Sequence, residues 1–147
     1  MSAAVPAVAV TVTTPAGPRQ VPAVLRAAAE LPGLPGHDEF ELQPLDDTGV
    51  LFALRSAPAG GRPVRLFVVE PRTFFPDYAP TVPADAFDVL GAAPDATTTL
   101  LVVVHPAGDD RTAPTANLLA PIVVDPATGR LAQVVLDGEH PLRAPLG

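Results

Sequence analysis

Leu119 to Asp137 reads LAPIVVDPATGRLAQVVLD, two β-branched runs joined by four turn-forming residues. Proline after Asp125 presets φ for a tight turn, and Gly129 is free to take the left-handed conformation that closes it. The stretch therefore predicts an antiparallel hairpin. Working outward, TTTLLVVVHP (97–106) is nearly continuous β-branched and apolar sequence, as expected of a strand buried on both faces. VRLFVVE (64–70) and VLFALRS (50–56) are strong strands, EFELQPL (39–45) alternates imperfectly, and VAVTVT (8–13) precedes the turn PAGP. VPAVLRAAAELPGLPG (21–36) reads as a strand and then a Pro/Gly corner, although RAAAE also favours a short helix. Only VPADAFDVLG (82–91) looks helical, with Pro83 suited to the first turn, Asp85 near the positive end of the dipole and Gly91 as terminator. APAGGRP (57–63) reads as a loop. Short strands at this spacing predict an all-β, mainly antiparallel fold, a small β-barrel-like single domain with one or two short helices.

The chain has 147 residues, enough for one core without staples, and residues 1–7 are expected to be poorly ordered. It contains no cysteine, which removes disulfides and thiolate metal sites. Its start, MSAAVPAVAVTVTTPAGP, is apolar but lacks a basic region and contains prolines, against a signal peptide. No apolar run approaches the ~18–20 residues of a membrane span. A soluble protein without membrane contact is expected. Nine arginines and no lysine face 16 acids, a formal net charge of −7. That charge repels phosphate backbones, so direct nucleic-acid binding is disfavoured and a basic partner is favoured.

Catalytic groups do not converge along the chain. His37, His105 and His140 form no metal-binding spacing, and neither Ser2 nor Ser56 lies in a nucleophile-elbow motif. Asp46–Asp47 and Asp109–Asp110 lie in loop-like stretches, where solvated turn carboxylates are expected. What remains is EPRTFFPDY (70–78), whose Phe74, Phe75 and Tyr78 either plug a barrel end or form a binding patch, and Asn117, which either caps a turn or meets a partner.

Four ordered motifs carry a resemblance. LPGLPG (31–36), LFVVEPRTFFPDY (66–78), TANLLAPIVVDPATGRLAQVVLD (115–137) and HPLRAPL (140–146) together resemble the bacterial flagellar assembly factor FliW family, over roughly Val8 to Leu146. His37 stands where that family usually has an aromatic. The resemblance implies a small antiparallel barrel with no enzymatic activity and no cofactor. It implies a cytoplasmic regulator of flagellum biogenesis, monomeric when unbound, with two alternative partners: flagellin and the RNA-binding translational repressor CsrA. Bound to CsrA, the protein relieves repression of flagellin translation; flagellin captures it and frees CsrA. Residues matching the two strongest motifs, Phe75, Asp77, Tyr78 and Asn117, with Glu70 as a nearby acid, are the candidate partner contacts. Asn117→Ala and Tyr78→Ala are expected to weaken partner binding and to leave thermal stability nearly intact. The alternative from the fold alone is a small-ligand-binding or catalytic β-barrel, which requires a concave pocket with convergent polar groups.

Overall fold

The computed structural model describes residues 9–31, 34, 36–56, 61–93, 96–106 and 114–146. Val8, residues 1–7, Asp109–Asp110 and much of the 57–63 loop lie outside these. In chain order the elements are β1 Ala9–Thr14, β2 Gly17–Pro22, β3 Val24–Ala27, β4 Glu39–Pro44, β5 Leu51–Ser56, β6 Val64–Val69, α1 Pro71–Phe74, α2 Ala84–Leu90, β7 Thr99–His105, β8 Thr115–Ala116, β9 Ile122–Asp125, β10 Arg130–Gln133 and β11 Ala144–Pro145.

The hairpin read from the sequence is β9–β10, with Arg130 opposite Asp125. Gly129 has φ +75°, and its N–H donates to the Asp125 carbonyl at 2.8 Å. The Asp125 side chain fastens the turn from inside, accepting from Ala127 N–H at 3.1 Å and from the Thr128 hydroxyl at 3.0 Å. Strand order β7-β6-β5-β4-β3-β10-β9, with β9 returning to β7, closes a barrel. β8 pairs with the C-terminal end of β7 on the edge that β9 takes further back, and β11 pairs with β8. Among the described pairings only β3–β10 is parallel, so a single parallel contact completes an otherwise antiparallel ring.

Alternation along each strand fills the interior. Leu25, Phe40, Leu42, Phe52, Leu54, Val68, Leu101, Ile122, Val124 and Leu131 pack there, joined by Val10, Val12 and Val21 of the β1–β2 hairpin. A ligand chamber inside the barrel, as the alternative reading would need, is thus occupied by side chains. The strands β6 and β7 are also apolar outward: Val69, Val102 and Val104 belong to a second cluster on the outer face. That is why 100–104 is a continuous apolar run instead of alternating.

Three local readings change. The strand expected from Val21 is two strands in separate sheets, β2 Gly17–Pro22 on β1 and β3 Val24–Ala27 between β4 and β10, and no helix forms at RAAAE. There Ala28 N–H donates to the Leu131 carbonyl at 2.7 Å, so strand pairing overrides alanine's helical propensity. A short helix, α1, occupies 71–74, where the proline-rich sequence suggested only departure from the sheet. The helix at 84–90 forms as expected and ends at Gly91, but Pro83 is its N-cap and not a first-turn residue. His37 fills the aromatic place at the LPG corner: it is buried, lies 6.4 Å from the Phe40 ring, and shares a 2.8 Å hydrogen bond with Ser56. Among the described residues no helix is long and apolar enough to cross a membrane.

Candidate functional site

The motif 70–78 leaves the barrel at the end of β6 and folds back over its outer face. Glu70 is held by its own N–H on the Val50 carbonyl, 2.9 Å. Its carboxylate caps α1, accepting from Thr73 N–H at 3.0 Å and the Thr73 hydroxyl at 3.3 Å. Pro71 takes the first helical position, where its missing N–H costs nothing. Glu70 is 3% exposed. Burial raises its pKa above the ordinary carboxylate value, opposed by the hydrogen bonds from Thr73 and by Arg72.

Tyr78 is buried in the outer cluster, against Val69, Leu118 and neighbours. Its hydroxyl donates to the Leu118 carbonyl at 2.8 Å, and His140 meets its ring edge-on at 5.8 Å. Burial pushes the Tyr78 pKa up to about 12. Asn117 stands one residue away from that carbonyl. Its N–H donates to the Val103 carbonyl at 2.9 Å, and its Oδ1 accepts from Leu119 N–H at 3.1 Å and Ala120 N–H at 3.0 Å. The two signature motifs, separate in sequence, are therefore joined through Leu118. These bonds revise the expectation that alanine at Asn117 or Tyr78 leaves stability intact, because each change would strand buried backbone groups. Phe75 is half-buried against the same cluster, and Asp77 is exposed. The aromatics do not plug the barrel: they lie on its outside.

The single turn of α1 divides two depressions. On one side is a polar cleft of ≈ 260 Å³ lined by Arg19, Glu70, Arg72, Tyr78 and Thr99 among others. On the other is a groove of ≈ 540 Å³ whose lining is wholly apolar, from Leu45 and Leu51 through Phe67, Val69 and Phe74 to Val104, Pro106, Pro114 and Leu146. Phe74 and Leu45 are each 42% exposed at its margins. Among the described residues the groove is the uncovered part of the outer cluster, and Arg65 lies over the Phe67 ring at 4.9 Å. Such a surface can receive apolar side chains of another protein. Leu45 and Phe67 are not among the sequence candidates, and Phe74 enters there only within the aromatic patch of 70–78, not as a partner contact. The available signal was that 66–69 are apolar at four consecutive positions, which leaves one apolar face outside the barrel.

His37 and Ser56 are as close as a nucleophile and its base, but both are buried, at 7% and 5% exposure, and satisfy each other. Among the described residues, no three of His, Cys, Asp and Glu come together in a metal-binding group.

A family described as FliW protein matches residues 7–146. A flagellar assembly factor FliW 2 from Desulfotalea psychrophila is 34% identical over 110 residues, 74% of this chain and 70% of that protein. A flagellar assembly factor FliW from Heliobacterium modesticaldum is 30% identical over 115 residues, 78% of this chain and 73% of that protein. A crystal structure of the flagellar assembly factor FliW superposes with a TM-score of 0.69 at 24% identity, covering 95% of each chain. That last likeness speaks for the fold.

Proposed function

This chain belongs to the FliW family of flagellar assembly factors, and from that premise we infer that it is a cytoplasmic, non-catalytic regulator with two alternative protein partners. One is flagellin; the other is a CsrA-type RNA-binding translational repressor, whose hold on flagellin translation it relieves. The observation that supports this reading is the wholly apolar groove beside α1 on a chain of net charge −7. Apolar grooves receive amphipathic helices, and an acidic surface steers a basic partner inward while repelling RNA. Phe75 and Asp77 are assigned direct contact. Glu70, Tyr78 and Asn117 act by holding the face in shape: Glu70 sets α1, and the Tyr78–Leu118–Asn117 chain of hydrogen bonds joins the two motifs.

The test is binding of the purified chain to flagellin and to the CsrA-type regulator of the same host. Micromolar binding to both, with association to the regulator slowing as salt rises, is the expected result. If neither binds, this function is wrong; a rate that ignores salt removes the electrostatic part alone.

A further inference from the structure

We propose that the edge of β10 beside α2 is a second docking surface, which takes an extended, basic segment of a partner protein by strand addition. The groove there, ≈ 330 Å³, has α2 as one wall, with Asp85, Ala86 and Val89, and the stretch Ala132–Val135 with Asp137 as the other. It shares no lining residue with the apolar groove beside α1.

Three features converge on this occupant. The first is an open backbone edge. Val134 N–H donates to the Pro121 carbonyl at 3.0 Å and Leu136 N–H to the Leu119 carbonyl at 2.8 Å, so these residues continue the pairing towards β9. Alternate residues of a strand turn their backbone groups to opposite neighbours, so Gln133 and Val135 face the other way, towards β3. β3 ends at Ala27, and the last bond across is Ala28 N–H to the Leu131 carbonyl. Among the described residues, Val135 has no backbone hydrogen bond on that side. An unpaired edge of this kind is a template for another strand.

The second is exposed aliphatic surface on both walls, Val89 at 44% and Val135 at 67%. The third is charge complementarity. Asp85 and Asp137 flank the groove without a lining cation, and Asp88 adds a third exposed carboxylate on α2. Among the described residues, none of the three is in an ion pair. Asp85 and Asp88 are like charges three apart on one helix, and Asp88 sits in the last turn, where the dipole disfavours an anion. Asp85, in the first turn, is favoured by the dipole, but Asp88 works against the helix's stability, and both face outward, where a cationic partner would use them. Cationic and aliphatic side chains alternating along an extended segment match this surface.

The experiment titrates the isotope-labelled full chain with a short synthetic peptide of alternating lysine and valine, following amide exchange. Binding should slow exchange at Val135, the double variant Asp85→Asn/Asp137→Asn should weaken it about three- to tenfold, and the glutamate–valine counterpart should not bind. A Val135 amide that exchanges as in the free chain, or a double variant that binds equally well, overturns the proposal. Because the probe is neither flagellin nor a translational repressor, these outcomes are independent of whether the proposed function stands.

Discussion

Replacing Tyr78 by phenylalanine deletes a single oxygen, and the structure makes its consequences calculable. The hydroxyl donates to the Leu118 carbonyl at 2.8 Å inside the outer cluster. A neutral hydrogen bond contributes about 1 kcal/mol net, and a buried carbonyl left without a partner costs about 1–3 kcal/mol. The variant should lose about 1–2 kcal/mol at neutral pH, a fall in melting temperature of about 2–8 °C for a domain this size. The alkaline range sharpens the test. The native Tyr78 pKa is about 12 against an ordinary value of 10.0. A raised folded-state pKa means that its contribution is fully present below pH 10.0 and is lost as pH rises through about 12. Over that window the wild-type advantage should shrink by up to ~1.4 kcal/mol per pH unit and then reverse, whereas the phenylalanine variant shows no such decline from this site. The chain has one tyrosine and no tryptophan, so tyrosinate absorbance reports this residue alone. A midpoint near the ordinary value in the native chain, or a variant as stable as wild type at neutral pH, would refute the reasoning.

Asn117→Ala removes the acceptor for two backbone N–H groups and should cost about 1–2 kcal/mol by chemical denaturation, whereas Asn117→Asp, which keeps the acceptor, should cost less. Gly49 has φ +72°, its carbonyl accepts from Thr13 N–H at 2.7 Å, and a Cβ there would collide with the Thr13 side chain; Gly49→Ala should destabilise by about 1–3 kcal/mol and loosen the β1–β2 hairpin, seen as faster amide exchange at Val10 and Val12. Phe74→Ser, at the margin of the apolar groove, should change stability by less than about 0.5 kcal/mol yet weaken partner binding at least about tenfold in calorimetry. Equal binding by that variant would separate the groove from the proposed function.

Short-range chemistry explains how much could be read without coordinates. Asp125-Pro-Ala-Thr-Gly129 carries its own turn, because the proline, the glycine and the aspartate side chain all act within five residues. The β-branched run 97–106 declares a doubly buried strand for the same reason: each residue's preference is local and repeated. The α1 turn escapes a reading of periodicity because its stabiliser is one side chain, Glu70 accepting from Thr73, and not a repeated pattern. At 21–36 the alanines favour helix locally, and the override comes from β10, about a hundred residues away.

The candidate site divides along the same line. Its motifs and their order lie in the chain itself, and so does the acidity of its surface, since composition and short spacing are properties of the sequence. Tertiary structure alone decided that Tyr78 reaches the Asn117 segment through the Leu118 carbonyl, that Phe74 faces an apolar groove while Arg72 faces a polar cleft, and that Val135, just past β10, has no backbone bond towards β3 among the described residues. Each of these depends on barrel closure through the parallel β3–β10 contact and the β7–β9 pairing. Such long-range pairings are selected by burying a whole apolar face at once, and no stretch of sequence contains that free energy by itself.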